Sequence, residues 1–215
     1  MSRALALVCA AALCAPAVQL EAQSRWELSF GAASGHEIVR SRLDTVRERL
    51  SGLVFTGEAV ATRGRFVARL RYGQGRVTGD IGAPLARDLV EGEALFGYKA
   101  RPWLTLWVGP HARTNVTGFG DQRWLFWSGR VTARGSLFPG RVESFVELWQ
   151  AFTGSVSRPA GSAAGGGAEA GLELQLASRP FWGRLAYRIE QGRADGGRRE
   201  TVEALTLTVG YVPLR

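Results

Sequence analysis

The chain has little of what most often carries chemistry. Its two cysteines, Cys9 and Cys14, both lie near the N-terminus, and its two histidines are His36 and His111. Beyond residue 14 there is no thiol, so no disulfide or thiolate metal site is expected in the rest of the chain. No later stretch is apolar for the roughly 20 residues that a membrane-spanning helix requires, which excludes a polytopic helical membrane protein. Helical periodicity is scarce as well.

The first residues have the three parts of a secretory signal in order. Arg3 is a positive n-region, Ala4 to Ala15 is an apolar run too short to cross a bilayer, and small residues offer cleavage after Ala17 or Ala22. A signal peptide is therefore expected over 1–22, with one mature domain over 23–215. Both cysteines fall inside the apolar run without a small residue before them, so lipid attachment is not expected.

The formal net charge is +8. A nucleic-acid partner would call for basic residues clustered on one face with aromatics between them. Here the arginines are spread along the chain at alternate positions among glutamates, and the chain carries an export signal. Nucleic acid is not an expected partner.

From Trp26 to Val212 the hydrophobic pattern has period two, which predicts strands. Ten are expected, over about 25–35, 51–62, 65–77, 87–100, 103–114, 123–136, 141–154, 167–178, 181–192 and 201–213. Most reach the roughly 9–11 residues a tilted strand needs to cross a bilayer. Their connections alternate. The short ones are Arg63-Gly64, Arg101-Pro102, Phe138-Pro139-Gly140 and Ser178-Arg179-Pro180. The long ones are Gly35–Leu50, Thr78–Ala86, Asn115–Gln122, Gly154–Ala168 and Arg193–Glu200. All tight turns thus share one end of the sheet and all long loops the other. A weak repeat marks the tight turns, Lys99-Ala100-Arg101-Pro102-Trp103 resembling Ala177-Ser178-Arg179-Pro180-Phe181, and proline suits such turns because it cannot donate to a ladder.

The alternation sorts residues onto two faces. One is apolar: Phe66, Leu70 and Tyr72; Phe96 and Tyr98; Leu104, Leu106 and Val108; Leu172, Leu174 and Leu176; Leu205, Leu207, Val209 and Tyr211 are examples. The other carries Glu58, Arg69, Arg71, Glu91, Glu93, Arg130, Arg134, Glu143, Glu147, Glu169, Glu173, Arg184, Arg188 and Glu190. A soluble sandwich would bury the first face, whereas a membrane barrel would turn it to lipid. Three features favour the barrel. Aromatics gather at the tight-turn end (Trp26, Phe66, Tyr98, Trp103, Phe138, Phe181, Trp182 and Tyr211), as in an interfacial girdle. The apolar positions run on for the length of a crossing. The charges also match across neighbouring strands in constant register: Arg134 with Glu143 and Arg130 with Glu147, Glu173 with Arg184 and Glu169 with Arg188, Arg71 with Glu91 and Arg69 with Glu93, and Glu58 with Arg69. Such pairing is worth little in water but is required in an enclosed interior, where an unpaired charge costs several kcal/mol.

In this pattern the chain resembles the small outer-membrane β-barrel proteins of Gram-negative bacteria, over the whole mature length but without a subfamily motif. The resemblance implies an all-β, up-and-down antiparallel transmembrane β-barrel of ten strands, eight or twelve being the alternatives. It implies residence in the cell outer membrane, contact with its lipid and lipopolysaccharide, and recognition by the barrel-insertion machinery. Many such proteins end in an aromatic residue, whereas this chain ends Tyr211-Val212-Pro213-Leu214-Arg215.

No catalytic, cofactor or metal site is assigned from the sequence. His36 lies in the first predicted loop and His111 near the loop end of the fifth strand, and no His/Asp/Glu cluster appears at ligand spacing. The ten-stranded omptin-type proteases need an aspartate pair and an Asp-His pair. None of Asp44, Asp80, Asp88, Asp121 and Asp195 lies two residues from another aspartate or from a histidine. The lipid A deacylases use a neighbouring His and Ser, and His111 has no serine two residues away. The glutamates have arginine partners by register, which argues against acid/base work. Gly161–Gly167 lacks the lysine of a phosphate loop and reads as a flexible surface loop. Arg40, Arg42, Arg47 and Arg49 read as a solvated loop able to meet lipopolysaccharide phosphates. The expected function is a structural or interaction barrel without enzymatic activity, its lumen filled by Arg–Glu pairs beneath long surface loops. The alternatives are a narrow channel or transporter for a small solute and a hydrolase with His111 as its base.

Overall fold

A computed structural model describes residues 25–43, 46–79, 86–117, 120–157, 160–175, 180–195 and 197–213. The expected signal peptide with Cys9 and Cys14, the residues Asp44 and Asp80, and Ser178-Arg179 of one tight turn lie outside these. Ten strands follow in chain order: β1 Glu27–Leu43, β2 Val46–Arg63, β3 Phe66–Gly79, β4 Arg87–Arg101, β5 Leu104–Thr117, β6 Gly120–Phe138, β7 Val142–Ser157, β8 Ala160–Gln175, β9 Phe181–Ala194 and β10 Arg199–Tyr211. Each pairs antiparallel with its chain neighbours, and β10 returns to pair with β1 from Phe30–Tyr211 to Arg42–Arg199. The result is a closed up-and-down barrel. Closure leaves no sheet edge, so the ladder satisfies the backbone groups of the wall internally.

The described tight turns share one end, as expected, two of them centring one residue later than expected, on Gly64-Arg65 and Pro102-Trp103. Arg63 pairs with Phe66 across Gly64-Arg65, and Gly64 takes φ 58°, a left-handed conformation that glycine adopts without a Cβ clash. Gly140 plays the same part between β6 and β7 at φ 70°.

The opposite end differs from the expected long loops. β1 and β2 continue as a hairpin through nearly all of Gly35–Leu50, and β7 and β8 do so through most of Gly154–Ala168. The alternation is still present in the first hairpin, with Glu37, Val39 and Ser41 inward and Ile38, Arg40 and Arg42 outward. It does not read as a strand in sequence because the outward members are arginines rather than apolar residues. The glycines of 161–167 have a packing reason. A Cβ at Gly165 would lie 2.9 Å from Phe126 Cε1, and one at Gly167 would lie 2.5 Å from Trp149 Nε1. They belong to a strand whose inner surface is covered by aromatic rings, not to a flexible loop.

That device recurs. Trp107 faces Gly97, Phe145 faces Gly171, Trp149 faces Gly167 and Trp182 faces Gly210 directly across neighbouring strands. In each case the ring lies over the bare backbone of its partner, covering apolar surface that glycine leaves open.

The outer wall is apolar. Along β10, Leu205, Leu207, Val209 and Tyr211 are exposed, Leu207 at 60%, while Val202 and Ala204 between the outward positions are buried. On β9 the outward residues Phe181, Leu185, Tyr187 and Ile189 extend roughly 26 Å along the strand at about 3.3 Å per residue. Tilted at about 40°, that gives an apolar band of roughly 20 Å, close to the height of the belt on membrane barrels. Trp26, Phe66, Trp103, Phe138, Phe181 and Tyr211 are exposed at the tight-turn end. Exposed apolar surface encircling a buried charged interior inverts the order of a water-soluble barrel.

If this wall faces lipid, Leu207→Arg near the middle of the band should lower folding free energy in phospholipid bilayers by about 2–4 kcal/mol. Urea titration of the refolded protein measures it, and an unchanged midpoint would contradict a lipid-facing wall.

Candidate functional site in the barrel lumen

Ten strands leave an interior that side chains can nearly fill. The inward positions supply three kinds of filling. Nearest the tight turns lies a tier of arginines and glutamates, and farther along the lumen a second charged tier lies beside two apolar clusters, with Glu190 directly opposite Val202 and Arg113 opposite Trp124. One cluster is Val39, Leu50, Val54, Val77, Leu89 and Val202; the other is Trp124, Phe126, Trp149 and Val156 with Ala151, Ala163 and Ala194 against it. These apolar plugs were not expected from sequence, because Leu50, Val39 and Val156 fell in predicted loops or at strand margins.

In the first tier Arg69 is held from two sides. Its Nη1 and Nη2 donate to Glu147 Oε2 and Oε1 at 3.0 and 2.8 Å, and its Nε donates to Glu93 Oε1 at 3.0 Å. Arg130 joins the same two carboxylates, with Nη1 3.2 Å from Glu147 Oε1 and Nη2 2.5 Å from Glu93 Oε2. Thr132 Oγ1 donates to Glu147 at 2.8 Å and itself accepts from Trp107 Nε1 at 2.9 Å. Arg184 bridges Glu58 at 3.0 Å and Glu173 at 3.1 Å, with its guanidinium 4.7 Å from the Trp182 ring centre. Arg134 reaches Glu173 at 3.3 Å and Glu143 at 3.5 Å, and Arg71 reaches Glu169 at 3.5 Å.

The second tier is built on Arg113 and Arg188. Arg113 donates to Glu91 at 3.0 Å, Glu190 at 2.6 Å and Glu200 at 3.3 Å. Arg188 donates to Glu37 at 2.9 Å and Glu91 at 2.8 Å, and lies 3.6 Å from Glu190. Asn115 Nδ2 donates to Glu200 at 3.3 Å. A cavity of about 30 Å³ lies between the tiers, bordered by Glu37, Glu58, Arg71, Glu91, His111 and Arg188, with room for about two water molecules.

As the alternation predicts, every candidate charge points into the barrel, but several partners change. Glu173 is directly opposite Arg184 and Glu169 opposite Arg188, as expected. The other five pairings, on three strand pairs, are displaced by two residues: Glu58 faces Arg71, Arg71 faces Glu93, and Arg134 faces Phe145 while Glu143 faces Ser136. The first tight turn centres on Gly64-Arg65 instead of Arg63-Gly64, and the turn between β6 and β7 centres on Gly140, with Phe138 opposite Val142, past the expected Phe138-Pro139. A shift of two keeps every residue on its face. Long arginines then reach diagonally, so Arg69–Glu93, Arg130–Glu147 and Arg134–Glu143 still form ion pairs. Glu58 bonds Arg184 rather than Arg69, Glu169 bonds Arg71 rather than Arg188, and Glu91 bonds Arg113 and Arg188 rather than Arg71.

Sequence reasoning missed Glu37, Arg113, Asn115 and Glu200, and placed His111 at the rim. His111 is 2% exposed, lying 5.8 Å from the Trp149 ring and 6.4 Å from Phe126. Extending the outward series Leu104, Leu106 and Val108 by two residues at a time would have turned His111, Arg113 and Asn115 inward. The fold also assembles a ligand cluster that no linear spacing reveals: ligand atoms of Glu91, His111 and Glu190, from β4, β5 and β9, all lie within 4.8 Å of one another. His36 is exposed on the outer face of β1.

The two glutamates of β7 should respond differently to truncation. Glu147 has a side chain only 5% exposed, so Glu147→Leu should cost about 3–5 kcal/mol by stranding Arg69 and Arg130. Glu143 is 40% exposed in a solvent-screened pair, so Glu143→Leu should cost less than about 1 kcal/mol. Equal losses in denaturant unfolding would contradict this division of the lumen.

No protein-family model matches the chain, and no curated protein sequence matches it either. Solved structures do. An outer-membrane channel from Pseudomonas putida F1 is 10% identical, with a TM-score of 0.50 over 93% of this chain and 100% of that one. The translocator domain of the autotransporter NalP from Neisseria meningitidis is 13% identical, with a TM-score of 0.48 over 86% and 88%. Ail, the attachment invasion locus protein of Yersinia pestis, is 14% identical, with a TM-score of 0.40 over 87% and 99%. The likeness to the Pseudomonas channel is one of fold, and the chain has the closed, all-antiparallel ten-stranded barrel architecture of outer-membrane β-barrel proteins.

Proposed function

We propose that this chain resides in the outer membrane as a closed, non-conducting and non-enzymatic barrel with a structural or interaction role. One observation carries the reading: the lumen is filled. Two tiers of ion pairs and two apolar clusters occupy it, and the cavity between the tiers is about 30 Å³. Barrels with aqueous channels are associated with about 16–18 strands. A narrow channel would need a continuous open path, and the second tier and the apolar clusters beside it occupy the same stretch of the lumen. A hydrolase using His111 would need substrate to reach an imidazole that is buried against Phe126 and Trp149 and has no hydroxyl partner among the described contacts.

The loop end supplies the interaction surface. Arg47 faces Arg42, Arg42 faces Arg199 and Arg199 faces Arg193, so four exposed arginines stand in one row across four neighbouring strands above the apolar band. Like charges directly opposed repel. Planar guanidiniums in such a row suit phosphate oxygens, and lipopolysaccharide is the phosphate-bearing lipid at that level.

Planar-bilayer recordings of the purified protein should show no stable openings of nanosiemens size, and such openings would overturn the filled-lumen reading. Replacing Arg42, Arg47, Arg193 and Arg199 by serine should lower retention of lipopolysaccharide by the detergent-solubilised barrel several-fold while the barrel stays folded. Unchanged retention would remove lipopolysaccharide as the partner of this row.

A further inference from the structure

The two charged tiers differ in balance. The tier nearer the tight turns sets Glu58, Glu93, Glu147, Glu169 and Glu173, with the half-exposed Glu143, against Arg69, Arg71, Arg130, Arg134 and Arg184, six carboxylates to five guanidiniums. The second tier sets Glu37, Glu91, Glu190 and Glu200 against Arg113 and Arg188 alone. All four of these carboxylates are buried. Arg198 and Arg87 also act on Glu200, but Arg87 is paired with Glu48, so counting all three leaves five carboxylates to four guanidiniums. In a closed lumen such an excess is costly, and it calls for a cation.

A second observation shows where. His111 is buried and its Nδ1 has no hydrogen-bond partner. A buried nitrogen left without a partner is expensive unless something occupies it. One of its ring nitrogens lies within 4.8 Å of carboxylate oxygens of both Glu91 and Glu190. Glu37 Oε2, on the same cavity, is likewise without a partner.

We propose that Glu91, His111 and Glu190 form a divalent-metal site of the zinc class inside the lumen. One imidazole and two carboxylates are a ligand set for a borderline divalent ion, and the tetrahedral geometry leaves a fourth position for water from the cavity or for Glu37. Ligand atoms about 2.0–2.1 Å from a tetrahedral ion stand roughly 3.4 Å apart, so side-chain rotations of about an ångström close the present arrangement onto it. Arg113 and Arg188 each hold one oxygen of Glu91 and one of Glu190, so the oxygen that turns to the ion is shared with a guanidinium, which keeps each carboxylate in orientation. A doubly charged ion offsets the negative charge that Arg113 and Arg188 leave on Glu37, Glu91 and Glu190. The bound ion ties β4 and β5 to β9 across the lumen, a staple between strands that do not pair with one another. The chemistry is binding alone, with no reaction.

The test uses the full mature barrel purified in detergent, stripped with chelator and titrated with Zn²⁺ by calorimetry and with Co²⁺ by absorption. One equivalent should bind per chain, Co²⁺ should give visible bands of a low-coordinate N/O site, and Zn²⁺ should raise the unfolding temperature. His111→Ala and Glu190→Gln should each weaken binding at least tenfold and abolish the thermal shift, whereas His36→Ala should leave both unchanged. Should either lumen variant fail to fold, X-ray absorption on the zinc-loaded wild-type barrel decides, one histidine nitrogen among oxygens being the expected shell. Absence of binding by the wild-type barrel, binding unchanged in His111→Ala, or a shell without nitrogen would each overturn the proposal.

Discussion

The pairing of β10 with β1 is the constraint on which the rest of the structure depends. It removes both sheet edges at once and gives every strand of the wall a partner on each side. It also separates two compartments that an open sheet would leave in contact with one solvent. Once closed, the inner compartment of ten strands is narrow enough that side chains from opposite walls meet. Arg184 on β9 can then bond Glu58 on β2, and Arg69 on β3 can bond Glu147 on β7. Those contacts exist because the barrel is closed, and they are too long-range to form before it.

The chemistry of the filling follows from that geometry. The chain has a single lysine, Lys99, and relies on arginine for nearly all its positive charge. A guanidinium can serve two or three carboxylates in fixed directions, as Arg113 does with Glu91, Glu190 and Glu200, and can lie on an indole, as Arg69 does 4.9 Å from the Trp107 ring centre. Buried ion pairs add little net stability over apolar packing. Their contribution is to penalise any register that leaves a charge alone. The apolar plugs at the loop end and the rings laid on Gly97, Gly167, Gly171 and Gly210 supply the packing that the ion pairs do not.

Most of the architecture was legible in sequence because period two survives wherever one face is apolar and the other charged. β9 shows it plainly, with Leu185, Tyr187 and Ile189 outward and Arg184, Arg188 and Glu190 inward. Legibility failed where the outward residues turn polar: Arg40 and Arg42 continue β1 in strand geometry yet read as loop. It failed again in register, since the two-residue displacement at Gly64-Arg65 leaves every face unchanged and so leaves no mark on the alternation. The lumen cluster was invisible for a third reason. Glu91, His111 and Glu190 come from three strands, and no spacing along the chain encodes their meeting. Glu37 and Glu200 were hidden because the segments holding them were read as loops.

The inversion of polarity, apolar outside and charged within, is the claim most open to direct trial. Cells expressing the full chain can be fractionated and the outer-membrane fraction run on a denaturing gel with and without boiling. A membrane-spanning closed barrel predicts that the protein partitions to that fraction and changes mobility on heating, because detergent alone does not open the closed ladder. Recovery in the soluble periplasmic fraction, with the same mobility before and after boiling, would contradict it.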